Sequence, residues 1–247
     1  GCQEHNLAMR GLARNVLAAV GTILFVLAVT KTAEYLVKKR KITKNLSRKL
    51  VHVSASCWLL FWPLFDASHW GWKLNIIVPA LYSVLLFVKG AVIKDRNDPD
   101  VRTMSRTGDP FELCMGPLMF TIVMCVVGLY LFGRSEGAMV MAIVGWGDGF
   151  APVIGERYGK TRYIVRGGRY KSVEGSVACF LFSLLGMKVF NFFLGYPYYN
   201  FGVWTLLALV GTAVEAISPS DWDNILIPLA VYHAAPFAQQ ASRLMML

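Results

Sequence analysis

Charged residues are scarce in this sequence. Only 16% of its 247 residues are Asp, Glu, Lys or Arg, whereas 55% are hydrophobic. A soluble globular domain usually has about a quarter of its residues charged. The low charge and the mean hydropathy of +0.48 therefore argue against a soluble domain. They predict an all-α, polytopic membrane protein.

The sequence also lacks a metal-binding or disulfide pattern of cysteines. Its five cysteines are scattered, and none belongs to a CxxC motif or to a Cys/His spacing typical of zinc sites. Most lie in apolar segments, where they are interpreted as small buried residues. We find no internal repeat, no low-complexity segment and no signal peptide with a cleavage site.

Eight apolar stretches are candidates for membrane spans, because a helix needs about 20 apolar residues to cross the hydrocarbon core. The second and the last are short and could be tilted or re-entrant. Together they predict one transmembrane domain of seven to eight helices over residues 11–238, between an N-terminal extension (1–10) and a C-terminal tail (239–247). The stretches are residues 11–30, 50–65, 73–93, 112–132, 137–155, 173–194, 201–217 and 224–238.

Basic residues concentrate after the first, third and fifth of these stretches. Because alternate loops of a membrane protein share a face, all three basic segments predict one cytosolic, stromal or matrix side. The net charge of +10 is thus attributed to membrane topology and not to nucleic-acid binding. The acidic loop at residues 218–224 falls on the same face. The last basic segment contains Arg157, Lys160, Arg162, Arg166, Arg169 and Lys171.

Asp148 is the most unusual residue of the fifth stretch. It stands between Gly147 and Gly149 at the end of an apolar segment. An ionisable group in a membrane helix is costly and is by default a candidate functional residue. The two glycines allow close approach of a ligand and an interrupted helix. A helix end followed by a solvated loop is the alternative interpretation.

Downstream of Asp148, the segment GERYGKT (residues 155–161) superficially resembles a phosphate-binding P-loop. A Walker A motif has four residues between its glycines, whereas only three separate Gly155 and Gly159. The glycines and Lys160 nevertheless form a candidate phosphate cradle. Lys171 and Ser172 precede the sixth stretch, and a helix N-terminus at this point would favour an anion.

Carboxylates near the end of the seventh stretch form a candidate metal site. Glu215, Asp221, Asp223 and Asn224 supply the oxygen ligands that Mg²⁺ prefers. Asp148 is predicted on the same face. The alternative is a polar turn in which Asp221 or Asp223 caps the last helix.

Two further segments contain candidate binding residues. Arg48 and Lys49 open the second stretch, where they fit a basic membrane edge as well as a phosphate site. His52 follows one turn later, and a lone histidine there is more often structural than catalytic. Arg106 could meet a phosphate, whereas capping of the next helix is the favoured role of Asp109.

One face thus combines cations and glycines for phosphates with acids for a divalent ion. This combination suggests phosphoryl or nucleotidyl transfer at a membrane surface, where positioning and charge neutralisation supply most of the catalysis.

Four sequence blocks, in the same order, resemble those of the CTP-dependent polyprenol kinases, which include phytol, farnesol and dolichol kinases. The chain looks closest to the plastid phytol and farnesol kinases. The resemblance implies transfer of the CTP γ-phosphate to an isoprenoid alcohol with Mg²⁺, in a plastid or endoplasmic reticulum membrane. The blocks are LSRKLVH with WPLF (46–52, 62–65), SRTGDPFELCMGPLMF (105–120), GDGFAPVIGERYGK with KSVEGS, and VEAISPSDWDNILIPLA (214–230).

The residue patterns and the resemblance together predict roles for individual residues. Asp148, Asp223, Asn224 and Glu215 are the expected metal ligands, and Asp148 or His52 the expected catalytic base. The expected CTP-binding residues are Arg48, Lys49, Gly147, Gly149, Gly155, Gly159, Lys160, Lys171, Ser172 and Gly175.

Two alternative functions remain open on the sequence. The Lys-Ser-x-Glu-Gly run (residues 171–175) also resembles phosphatidate cytidylyltransferases, which transfer a nucleotidyl group to a lipid phosphate. Pro152 stands where phytol kinases tend to have a second acid. An inactive homologue that serves as a structural membrane subunit is therefore the other alternative.

Overall fold

The computed structural model describes residues 2–165, 169–196, 200–219 and 221–244. Of the basic residues named above, Arg166 lies outside them. Ten α-helices account for most of the described chain: α1 Cys2–Lys38, α2 Lys44–Ser56, α3 Ile77–Phe87, α4 Pro99–Met104, α5 Gly116–Tyr130, α6 Ser135–Ala142, α7 Asp148–Tyr158, α8 Val173–Leu194, α9 Phe201–Ile217 and α10 Asp223–Leu244.

Shorter elements join these helices. The 3₁₀-helices are Cys57–Leu64, Trp70–Ile76 and Pro110–Cys114, and the π-helices are Val88–Ile93 and Ile143–Gly147. An antiparallel hairpin of β1 (Arg162–Val165) and β2 (Arg169–Ser172) is the single sheet of the described residues, with Arg162 paired to Ser172 and Lys171 to Tyr163.

The predicted all-α class is confirmed. Five helical segments of the described residues are long and apolar enough to cross a membrane: His5–Lys38, Trp70–Ile93, Pro110–Tyr130, Ser135–Tyr158 and Val173–Leu194. Phe201–Ile217 is apolar but shorter. The second predicted stretch continues from α2 as a 3₁₀-helix that contains Pro63. Seven to eight spans therefore stay a prediction. Helix α1 begins at Cys2 and so includes most of residues 1–10, whose separation as an N-terminal extension stays a prediction.

The helix Ser135–Tyr158 forms the centre of the molecule. The side chains from Ala138 to Val144 are almost completely buried, in one apolar core with residues of α5, α8, α9 and α10. The outer helices instead expose large apolar side chains, such as Leu17 of α1 and Phe192 of α8. An apolar exterior of this kind suits contact with lipid.

The predicted interruption of this central helix is instead a widened turn. The Asp148 N–H donates to the Ile143 carbonyl, five residues back, whereas an α-helix would use Val144. The ring Nε2 of His52 lies 3.0 Å from the Val144 carbonyl oxygen. Because a carbonyl oxygen only accepts, His52 Nε2 must donate this hydrogen bond. A side chain of α2 thus stabilises the turn that precedes Asp148.

Candidate functional site

A cavity of about 340 Å³ lies between α2, α5, α7 and the segment that precedes α10. One end is charged and the other is an apolar arm. The charged or amide side chains of its wall are Arg48, Lys49, Arg106, Asp148, Glu156, Arg162, Lys171, Glu215, Asp221, Asp223 and Asn224. The apolar arm includes Val26 of α1, Val78 and Leu86 of the α3 region, and Phe120 and Met124 of α5. The structure therefore brings the predicted acids and most predicted cations together.

Asp148 is the first residue of α7 and only 3% exposed. Its carboxylate lies 3.7 Å from His52 Nε2. The cationic side chains of Lys49, Lys171 and Arg48 line the same cavity. Asp148 is thus a buried carboxyl group that faces the cavity together with three cations.

The hydrogen bond of His52 Nε2 does not suit a catalytic base at that nitrogen. Its Nε2 carries a proton, because it donates to the Val144 carbonyl. The ring packs on Phe120, with 3.9 Å between the two centroids. Nε2, the nitrogen nearest Asp148, is therefore a donor and cannot accept a proton from a substrate. This contact favours Asp148 over His52 Nε2 as the candidate base, and the choice between the two residues stays a prediction.

Lys171 and Glu215 form a buried ion pair across the cavity wall. The ammonium donates to the carboxylate at 2.7 Å and also to the Glu215 main-chain carbonyl. Both side chains are largely buried. Glu215 is thus the partner of Lys171, and the structure does not support the predicted role of this carboxylate as a metal ligand.

Asp223 and Asn224 begin α10 and are both buried. Burial and, after it, the negative charge of Asp148 raise the pKa of Asp223 to about 7. The amide oxygen of Asn224 has no hydrogen-bond partner among the described residues, which is costly for a buried polar atom unless a ligand satisfies it.

This donor set fits Mg²⁺. No three His, Cys, Asp or Glu side chains of the described residues are grouped to hold a metal ion by themselves. Mg²⁺, however, commonly uses one or two carboxylates together with waters and substrate phosphates. Asp148, Asp223 and the unsatisfied Asn224 oxygen are the residues that would hold it.

Arg106 and Asp221 add a second ion pair to the charged end. The guanidinium lies 2.8 Å from the Asp221 carboxylate, although the two residues are 115 positions apart. Asp221 adopts a left-handed φ of 67°, which Asp tolerates better than most residues. Its carboxylate lies so close to Gly116 that a Cβ there would be only 2.9 Å away. Asp221, in the turn that precedes α10, therefore orients Arg106. Capping of α10 by Asp221 or Asp223 stays a prediction.

Glu112 organises the loop that carries Arg106. Its carboxylate accepts hydrogen bonds from the Arg106 N–H, the Ser105 hydroxyl and the Thr107 hydroxyl. No pattern in the sequence indicated this role. The prediction that Asp109 caps the following helix is confirmed, because its side chain accepts a hydrogen bond from the Phe111 N–H.

The glycines of the predicted phosphate cradle serve close packing. A Cβ at Gly147 or Gly149 would overlap Ser183 or Val53, and one at Gly159 would overlap the main chain of Gly155. Neither these three glycines nor Lys160 belong to the cavity wall. The structure therefore does not support their predicted contact with a nucleotide in this cavity.

Gly155, Ser172 and Gly175 do line the cavity. Ser172 caps α8 by accepting from the Gly175 N–H, as expected for a helix start at this position. Gly155 and Gly175 let α7 and α8 approach so closely that a Cβ at Gly155 would lie 3.4 Å from the Gly175 Cα.

The wall also includes Pro152, Arg162 and Tyr170, which the sequence did not predict as binding residues. Pro152 lies in α7 one turn after Asp148, while Arg162 and Tyr170 come from the hairpin. Because proline has no N–H, the Asp148 carbonyl lacks its usual partner four residues later. The alternation of residues 162–172 was the signal for a hairpin, but the glycines and basic residues obscured it.

Comparisons with known proteins give a consistent set of plant relatives. The "Probable phytol kinase 1, chloroplastic" of Oryza sativa subsp. japonica is 33% identical over 239 residues, which cover 92% of this chain and 74% of the relative. The "Probable phytol kinase, chloroplastic" of Zea mays is 32% identical over an alignment that covers 82% of this chain and 70% of the relative. The "Phytol kinase 1, chloroplastic" of Arabidopsis thaliana is 29% identical over an alignment that covers 93% of this chain and 78% of the relative. No protein-family model matches the chain, and no solved structure matches it.

Proposed function

The chain belongs to the phytol kinase family, and on this premise we propose that it transfers the γ-phosphate of CTP to the hydroxyl of an isoprenoid alcohol in a plastid membrane. The candidate alcohols are phytol, farnesol, geranylgeraniol and longer polyprenols. Both the donor and the alcohol are parts of this proposal.

The two-part cavity is the observation that carries the proposal. An isoprenoid alcohol has one hydroxyl and a long apolar tail. The arm beside Val78, Leu86 and Met124 suits the tail, and the charged end suits the hydroxyl and the phosphate. Burial of the tail supplies binding energy in proportion to its apolar area. It also places the hydroxyl at the charged end near Asp148.

The chain's own residues can support an in-line transfer. The alcohol oxygen forms a bond to the γ-phosphorus, and the bond from that phosphorus to the bridging oxygen breaks. Asp148 accepts the hydroxyl proton and later releases it to water. Arg48, Lys49 and Lys171 neutralise phosphate charge, which is the main contribution of a protein to phosphoryl transfer.

Mg²⁺ held by Asp148, Asp223 and Asn224 would supply further charge neutralisation at the phosphates. His52 contributes by holding the turn before Asp148 in place. Glu215 contributes by fixing Lys171.

The alternatives differ from the proposal in what they predict. A phosphatidate cytidylyltransferase would transfer the nucleotidyl group, and an inactive subunit would transfer nothing. The relatives described above are all named phytol kinases and so do not favour either. Pro152 adds no charge to the wall, but Asp148 and Asp223 remain in the cavity.

Purified protein incubated with Mg²⁺ and γ-labelled CTP tests the proposal. The lipid is phytol, farnesol or phosphatidic acid, and γ-labelled ATP replaces CTP in a parallel reaction. Label in the alcohol, dependent on CTP, is the expected result. Release of pyrophosphate with formation of a CDP-lipid would instead show a cytidylyltransferase. Absence of both products from protein that purifies in a stoichiometric complex would show a structural subunit.

A further inference from the structure

A second cleft, of about 650 Å³, lies beside the cavity. It is formed by the start of α2 and by the segment from Arg96 to Gly108. We call it the basic cleft, because its lining includes five cations, Lys44, Arg48, Arg96, Arg102 and Arg106, and a single carboxylate, that of Glu156.

The cations of the basic cleft are poorly balanced by acids. Lys44, Arg96 and Arg102 make no ion pair in residues 2–165, 169–196, 200–219 and 221–244. Arg102 donates only to the side-chain oxygen of Asn97. Glu156 accepts two hydrogen bonds from the Asn45 amide. A concentration of arginines without carboxylates favours a ligand with several phosphates.

The basic cleft and the cavity share part of their walls. Arg48, Arg106, Pro152 and Glu156 line both spaces. The two spaces therefore adjoin at these four residues. Pro152 adds no charge to this junction, and Glu156, whose carboxylate is bound by the Asn45 amide, is the single carboxylate among the shared residues.

The lining also distinguishes between classes of phosphate ligand. Apart from buried Val101, the cleft has no large apolar side chain. An anionic lipid would find no surface for its tails there, whereas a nucleoside triphosphate from the aqueous phase needs none. The cleft also contains Thr43, Ser105 and Thr107, whose hydroxyls can hydrogen-bond phosphate or sugar oxygens.

We propose that the basic cleft binds the nucleoside triphosphate donor, with its terminal phosphate between Arg48 and Arg106 and the alcohol in the adjoining cavity. This inference rests on the proposed kinase function. It places the donor beside α2 and α4, on the opposite side of Pro152 from the glycines at residues 155–159. After transfer, the nucleoside diphosphate leaves through the cleft and the phosphorylated alcohol leaves through the apolar arm.

Arg96 and Arg102 are the residues to change, because both are exposed and lie away from Asp148. We expect the double variant Arg96→Gln, Arg102→Gln to bind Mg·CTP about tenfold more weakly, since it loses two charge-assisted contacts. The KM for CTP should rise by a similar factor, whereas the KM for the alcohol should not change. The loss should diminish at high ionic strength, where the remaining cations are screened.

The matched control is the double variant Lys94→Gln, Arg157→Gln. It removes two exposed positive charges near the same face, and neither residue lines the cleft or the cavity. Binding of α-labelled CTP is measured on the whole protein in phosphatidylcholine nanodiscs, which contain no anionic lipid. Unchanged elution and thermal unfolding show that both variants fold.

The binding measurement separates this inference from the kinase proposal. Weaker CTP binding by Arg96→Gln, Arg102→Gln alone supports the basic cleft, even if no alcohol is phosphorylated. Equal CTP affinity of wild type and this variant would overturn the inference, even if phytol is phosphorylated. Equal losses in both double variants would overturn it as well, because the effect would then be one of net charge.

Discussion

Asp148 and the cations around it dominate the cavity at the scale of single residues. Five cationic side chains share the wall with five carboxylates. The cations are Arg48, Lys49, Arg106, Arg162 and Lys171, and the carboxylates are those of Asp148, Glu156, Glu215, Asp221 and Asp223. Two of the cations are fixed by ion pairs to Glu215 and Asp221. The charged end is therefore balanced before any ligand binds, and each carboxylate that is removed leaves a cation in excess.

The first prediction concerns Asp148→Asn, which keeps the shape of the side chain and removes its charge. We expect kcat for phosphorylation of phytol or farnesol to fall by about 10²–10⁴, the usual contribution of a catalytic base. Radiolabel transfer from γ-labelled CTP measures it. Glu136→Gln, at the opposite end of the same long helix, is the control and should retain activity. Turnover like that of wild type in Asp148→Asn would remove Asp148 from the mechanism.

The second prediction concerns the buried pair of Lys171 and Glu215. Lys171→Met leaves the Glu215 carboxylate buried without its partner, so we expect a loss of about 3–5 kcal/mol of stability. The double variant Lys171→Met, Glu215→Met should recover much of it, because it leaves no isolated charge.

Thermal unfolding in detergent compares these variants. Lys31→Met is the control, because its partner Glu34 is in an exposed pair and such pairs contribute little. A double variant less stable than Lys171→Met alone would contradict the assignment of this pair.

At the scale of elements, the central helix depends on close packing against α2. Gly145 lies in the π-helix Ile143–Gly147, and a Cβ there would overlap the Ser56 side chain at the end of α2. Packed interiors do not absorb such overlap without displacement of one element. The contact thus fixes the distance between α2, which carries His52, and the turn before Asp148.

The third prediction is that Gly145→Ala lowers the thermal stability by about 1–3 kcal/mol and weakens turnover. Adding Ser56→Gly should restore part of both, because the overlapping side chain is then absent. Gly21→Ala in α1 is the control, since its Cβ would lie 3.6 Å from the Phe61 ring in ordinary contact. If Ser56→Gly fails to rescue either property, the overlap is not the cause.

The elements also show how far the sequence could predict the fold. Long apolar stretches predicted α8 within its observed bounds, Val173–Leu194, because hydrophobicity and length suffice for a lipid-facing helix. The hairpin at residues 162–172 was missed, since β pairing depends on contacts between strands. The π-helix was also missed, because its cause is a contact with His52 from a distant helix.

The candidate site was predictable to a similar extent. Buried acids such as Asp148 and Asp223 are conspicuous in an apolar sequence, and the structure places both in one cavity. The ion pair of Arg106 and Asp221 was not predictable, because no local sequence pattern connects residues that are 115 positions apart. Glycines such as Gly147 and Gly159 were misinterpreted, since a sequence does not distinguish close helix packing from close approach of a phosphate.

At the scale of the whole molecule, the cavity joins an apolar region to a charged one. Its apolar arm is walled by α1, α3 and α5, whereas its charged end lies beside the segments that contain most of the basic residues. The long helix α1 closes the arm with Val26 and Thr30. The dimensions of this arm, and not those of the charged end, then determine the length of tail that fits.

The fourth prediction is that Val26→Phe shortens the arm and so discriminates against long alcohols. We expect the ratio of kcat/KM for farnesol to that for phytol to rise about tenfold or more, since a pocket distinguishes one methylene by about 1–3 kcal/mol. The KM for CTP should not change.

Leu27→Phe provides the matched control, because this neighbour in α1 is 46% exposed on the outer face. It should leave the ratio as in wild type. Equal effects of Val26→Phe and Leu27→Phe would show that α1 does not limit the length of the tail.

The widened turn at Ile143–Gly147 also changes the phase of the long helix. A π-turn holds one residue more than an α-turn, and successive α-helical residues differ by about 100° in direction. The side chains of Ser135–Ala142 and those of Asp148–Tyr158 are therefore rotated relative to each other about the helix axis. No single stripe of side chains runs along both segments. A one-residue deletion within the turn would restore a regular helix, but it would rotate Asp148 away from the cavity relative to the core. Because of the extra residue, the first half of this helix packs in the core and the second half lines the cavity.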